Sequence, residues 1–119
     1  MRDFHNLKVW EKAHRLVLAL YKASAGFPQT EVYGLTSQLR RAGVSIAANI
    51  AEGCGRSSAA DFARFLEIAM GSASEVQYHL LLARDLSHLD KTCHLQLDED
   101  VGEVKRMLTA LRQKLTADR

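Results

Sequence analysis

Pro28 is the only proline in 119 residues, so nearly every stretch of this chain is free to continue a helix once one has started. Apolar residues recur at helical spacing on both sides of it. Leu7, Trp10, His14, Val17 and Tyr21 repeat at threes and fours, and that helix should end near Gly26. The run GFPQTEVYG (Gly26–Gly34) is the break. A second stripe, Leu35, Leu39, Ala42, Ile46 and Ile50, is closed by Gly53–Gly55. Ser58-Ala-Ala-Asp61 reads as a capping box opening a third helix, with Asp in place of the usual Glu. Phe62, Phe65, Ala69, Val76, Leu80 and Ala83 mark the inner face of that helix, the longest, which should fade around Ser87–Leu89. Leu97, Val101, Val104, Leu108, Leu111 and Leu115 form a fourth stripe in heptad spacing. No segment alternates as a half-buried strand does. These stripes predict an all-α, antiparallel up-down-up-down four-helix bundle, a single domain over residues 1–119.

The stripes carry more apolar surface than one bundle needs. Leu16, Val17, Leu18 and Leu20 spread around the first helix, and Leu80, Leu81 and Leu82 cover most of the circumference of the third. A helix apolar on more than one side buries the second side against something, which for a globular chain means another subunit. No run approaches the ~20 apolar residues that cross a bilayer, and the N-terminus lacks the apolar core of a secretion signal. Cys54 and Cys93 form no CxxC or Cys/His cluster. A cytoplasmic protein with reduced thiols and no membrane partner is expected.

Chemistry is harder to find. In QLRRAGVSIAANIAEGCGR (Gln38–Arg56), Arg41, Ser45, Asn49 and Glu52 are spaced by four, four and three and share one helix face. Ala42, Gly43, Ala47, Ala48 and Ala51 run between them and allow another helix to come close. Glu67, Ser74, Glu75 and Tyr78 on the third helix are the natural counterpart. Antiparallel packing across the GCGR turn sets Glu52 near the start of that helix and Arg41 near Glu75. Arg41, Ser45, Asn49, Glu52 and Glu75 are therefore expected to form a structural polar network that fixes register. Glu11-Lys-Ala-His14 has the ExxH spacing of di-iron bundles, but only one copy exists, so no metal or other cofactor is expected. Neither a serine elbow nor a His-paired cysteine points to an enzyme. The GCGRSS turn offers phosphate donors without a Walker lysine or preceding strand, and reads as an interhelical turn. With 16 basic and 14 acidic side chains, the net charge of +2 supports nucleic-acid binding only through local clusters. The exposed candidates for RNA or DNA are Arg40, Arg56 and Arg64, which lie off the polar ladder.

The signatures VWEKAH, FP..E.YGL..QLRRA..SI.ANIAEG and RFL.IA.GSASE resemble those of the bacterial four-helix-bundle family also called the 23S rRNA intervening-sequence protein family. The resemblance runs from Phe4 to about Leu89, and the last thirty residues match only as a fourth helix. It implies a left-handed up-down bundle assembling as a homopentamer around a central channel, with no catalytic residues to carry over. A more distant similarity is to the accessory protein of diversity-generating retroelements, a strongly basic pentamer that binds nucleic acid and a reverse transcriptase. The expected function is that of a non-enzymatic homo-oligomer binding RNA or DNA through basic residues repeated around the ring. The alternative is a structural or adaptor module whose partners are proteins alone.

Overall fold

The computed structural model describes residues 3–117, which contain four helices and no strand. They are α1 (Lys8–Ser24), α2 (Leu35–Cys54), α3 (Ala59–Asp85) and α4 (Lys91–Ala117). Single 3₁₀ turns at Phe4–Asn6 and Gln29–Glu31 precede α1 and α2. The third helix shares its length with the fourth, 27 residues each, and at 1.5 Å per residue either one spans roughly 40 Å of the 46 Å long axis. No described helix is long and apolar enough to cross a membrane.

Each helix packs on two others: α2 on α1 and α3, and α4 on α3 and α1. The backbones of diagonally opposite helices stay apart, and side chains from all four fill the centre as a continuous core, built around Leu20, Leu39, Ile46, Ile50, Phe62, Leu66, Leu80, Val101, Val104 and Leu108. The stripes expected for α2 and α3 are buried throughout, and that of α4 is buried except for the half-exposed Leu111.

Helix α1 differs from the expectation. Its buried face is Val9, Ala13, Leu16, Leu20 and Ser24, whereas His14 and Tyr21 are exposed and Leu7, Trp10 and Val17 are half-buried. The reason is steric. A Cβ placed on Gly43 of α2 would lie 2.6 Å from Leu20 Cδ1, so the two helices are too close for Trp or Tyr to fit between them. Trp10 instead lies on the flank, edge-on to Phe4 at 4.7 Å and stacked on His14 at 5.1 Å. Gly53 does for α2 and α3 what Gly43 does for α1 and α2. A Cβ there would meet Phe65 Cβ at 2.7 Å and Phe62 Cδ1 at 3.0 Å.

Side chains cap the starts of α3 and α4. Ser58 Oγ accepts from Asp61 N–H at 3.1 Å, and Asp90 Oδ1 accepts from Cys93 N–H at 2.7 Å. The capping box at α3 is only half made, because the Asp61 carboxylate turns toward Arg64 at 3.5 Å. Glu31 reaches across its turn to take Leu35 N–H, the first donor of α2. The C-terminus of α3 is a Schellman turn: His88 N–H donates to the Ala83 carbonyl and Ser87 N–H to that of Arg84. Ser87 occupies the position that glycine favours there, with φ at 63°.

Two outcomes follow. Ser87→Gly relieves the left-handed strain and should raise unfolding stability by about 0.5–1 kcal/mol, read as a higher urea midpoint. Gly53→Ala forces its new methyl onto Phe65 and should lower stability by about 1–3 kcal/mol in the same measurement.

Candidate functional site

The polar ladder of α2 is smaller than its sequence spacing implies. Ser45 Oγ meets Ser72 Oγ of α3 at 2.8 Å, and Asn49 Nδ2 donates to Ser45 Oγ at 3.0 Å and to the Ser45 carbonyl at 2.8 Å. All three side chains are half-buried. The other expected members lie outside this cluster. Glu52 faces Arg56 at 3.4 Å, and Glu75 accepts from His79 Nε2 at 3.0 Å, one turn along its own helix. His79 is buried, and its second ring nitrogen, Nδ1, has no hydrogen-bond partner among the described residues. Two of the counterparts expected on α3 face α4 instead: Glu67 accepts from Arg112, and Ser74 accepts from Lys105 Nζ at 3.0 Å.

The two neighbouring arginines exchange their expected places. Arg40, expected to be exposed, is half-buried and clasps α1: its Nε donates to Ser24 Oγ at 2.8 Å and its Nη2 to the Tyr21 carbonyl at 3.1 Å. Its guanidinium lies 4.5 Å from the centre of the Tyr21 ring. Arg41, expected inside the network, is exposed and has no hydrogen-bond or ion-pair partner among the described residues. The physical reason is the closeness of α1 to α2. Arg40 sits where its chain can reach the last turn of α1, and the adjacent residue is rotated about 100° away from it.

Arg56 and Arg64 flank one aromatic ring. Their guanidinium carbons lie 4.7 Å and 4.9 Å from the centre of Phe65, at the turn joining α2 to α3. Both are exposed, and each has an acid one helical turn away, Glu52 for Arg56 and Asp61 for Arg64. Arg40, Arg56 and Arg64 therefore do not form one patch: Arg40 belongs to the α1–α2 contact and the other two to the α2–α3 turn.

The remaining titratable groups offer little chemistry. Glu11 pairs with Arg15 at 2.6 Å, and no three His, Cys, Asp or Glu side chains among the described residues gather as metal ligands. Burial, and then the Asp90 carboxylate, push the Cys93 thiol up from its ordinary value, which works against its acting as a thiolate nucleophile. At the other end of the bundle, His88 Nε2 lies 3.1 Å from Glu31, tying the α3–α4 turn to the α1–α2 connection. The sequence reading missed this pair because the two residues are 57 positions apart and neither lies on an apolar stripe.

Four helices, a serine–serine hydrogen bond between α2 and α3 backed by Asn49, and arginines on the outside define an all-α protein with a polar seam. The match to the family model described as 23S rRNA-intervening sequence protein covers residues 5–110, and the chain belongs to that family. The match extends well into α4, beyond the Phe4–Leu89 reach of the sequence signatures. The chain is also similar to the crystal structure of a protein of unknown function from the S23 ribosomal protein family of Bacteroides thetaiotaomicron. Identity is 26%, the TM-score is 0.78, and the alignment covers 87% of this chain and 96% of that one. No match was found among curated proteins.

The Arg40 clasp can be tested directly. Arg40→Ala removes two charge-assisted donors from the α1–α2 contact and leaves the Ser24 hydroxyl without its guanidinium. Discounted for partial exposure, the loss should be about 1–2 kcal/mol of unfolding stability, whereas Arg41→Ala should change it by less than about 0.5 kcal/mol.

Proposed function

We propose that this protein is a non-enzymatic, cytoplasmic homo-oligomer, an antiparallel up-down-up-down bundle assembled as a pentamer, that associates with RNA or DNA. The antiparallel reading is supported by pairs whose numbers run in opposite directions. Leu20 and Ser24 of α1 meet Gly43 and Arg40 of α2, while Lys105 and Arg112 of α4 meet Ser74 and Glu67 of α3.

The observation that carries assembly is apolar exposure at opposite corners of the bundle. Leu18 on α1 is 57% exposed and Tyr78 on α3 is 59% exposed, and these helices are diagonal to one another in the bundle. Two different surfaces on one chain suit a heterologous contact, which closes into a ring. Nucleic-acid association is supported by family membership and by the exposed Arg56 and Arg64, which a ring would repeat in every subunit. A protein-only adaptor is the second reading. It is favoured by the acid beside each of those two arginines and by the net charge of +2.

Native mass spectrometry should find a particle of five 13.3 kDa chains, and Leu18→Glu or Tyr78→Glu should reduce its mass. A nuclease-sensitive pull-down from cells should recover RNA or DNA, with retention falling steeply as salt rises. The double variant Arg56→Glu/Arg64→Glu should lose that retention while keeping the parent mass. Retention that is absent, or indifferent to salt, would leave the adaptor reading.

A further inference from the structure

A groove of about 610 Å³ runs along the first half of α2, within the size range of small-molecule sites. Its polar lining is Tyr21, Thr36, Ser37, Arg40, Arg41 and Ser45. Thr36 is unusual among these. It is only 7% exposed, and its hydroxyl has no hydrogen-bond partner among the described residues. The hydroxyl itself is not sealed from solvent, so it is available to something that enters the groove. Arg41 is the second available group, an exposed guanidinium with no acid beside it. Arg40 adds a fixed positive charge to the wall, held by Ser24 and Tyr21. Glu31, the acid nearest in sequence to the start of α2, is already engaged with Leu35 N–H and His88. The groove also begins at the first turn of a 20-residue helix, the positive end of its dipole.

We infer that this groove is a phosphate-recognition site for a nucleotide, whether free or within a polynucleotide. A carboxylate gripped by one guanidinium keeps a single charge and two lone pairs confined to its own plane, a poorer match for Arg41, Thr36 and Ser37 together than a tetrahedral anion. A phosphate has three or more acceptor oxygens and up to two charges, enough for Arg41 together with both hydroxyls. Val32 and Val44, each about 40% exposed, and the Tyr21 ring supply an apolar rim against which a sugar or base can lie. The site deepens the nucleic-acid reading, and rests on it only where the phosphate comes from a polymer. It also adds Arg41, in place of Arg40, to the candidate contacts at Arg56 and Arg64.

The test is calorimetric titration of the full-length assembled protein with inorganic phosphate, adenosine monophosphate, adenosine, and a short oligoribonucleotide without terminal phosphates. Phosphate and the monophosphate should bind and adenosine should not. Arg41→Gln should weaken the monophosphate about 10-fold or more, and Thr36→Val should weaken it by a smaller factor, while Arg56→Gln and Arg64→Gln leave it unchanged. Oligoribonucleotide binding that weakens in Arg41→Gln assigns the groove to a polymer. Monophosphate binding without oligoribonucleotide binding assigns it to free nucleotides. The inference is overturned if the parent binds neither phosphate nor the monophosphate, or if Arg41→Gln and Thr36→Val bind as the parent does. An altered particle mass in Arg41→Gln, with no phosphate bound by the parent, would show a neighbouring subunit seated in the groove and overturn it too. RNA retention that survives Arg41→Gln but is lost in Arg56→Glu/Arg64→Glu defeats this site and spares the nucleic-acid function. Monophosphate binding without any RNA retention does the reverse.

Discussion

The close approach of α2 to both of its neighbours is the constraint from which most other features follow. At Gly43 the missing side chain lets Leu20 of α1 press against the helix backbone, and at Gly53 it admits Phe62 and Phe65 of α3. Both glycines accept the conformational penalty of an interior helical glycine, and interhelical contact is what offsets it. Because α1 lies so near, its inner face can hold Ala13, Leu16 and Leu20 but not Trp10 or Tyr21. Because α3 lies so near, two serine hydroxyls on facing helices meet at 2.8 Å with no longer side chain between them.

That geometry also sorts the charges. Residues at the α1–α2 seam are drawn into it, so Arg40 becomes a clasp with its guanidinium over Tyr21. Residues one step around the helix are turned outward, and Arg41 is left as an exposed cation above a groove rich in hydroxyls. At the far end of α2, Glu52 and Asp61 sit beside Arg56 and Arg64 and dilute their field. Adjacent arginines in the sequence thus have unrelated roles, one structural and one available.

Much of the helical framework was legible in the residues. Gly26–Gly34 and Gly53–Gly55 marked two of the chain reversals, and Ser58 was recognisable as a cap because its hydroxyl must answer an orphan N–H. The core of α2 and α3 could be read from spacing alone, since in each the expected stripe is the face its neighbours cover. In α1 two stripes compete, and the one with larger aromatics drew the reading, although size is a disadvantage where helices touch. The candidate site was less legible. A spacing of four aligns Arg41, Ser45 and Asn49, but cannot say that Ser72 is the true partner or that Glu75 spends itself on His79. Thr36 carried no signal at all, because an unpartnered hydroxyl is a property of its surroundings.

By itself, the sequence determined the class of fold, the four helices and their approximate ends, and membership of the 23S rRNA-intervening sequence protein family. Those depend on local periodicity, caps and breakers, which neighbouring residues settle among themselves. Only the tertiary structure decided which face of α1 is inside, which of two adjacent arginines is tied down, and where a groove opens beside α2. Each of those turns on a distance of a few ångströms between helices, and no residue encodes such a distance without its partner across the gap.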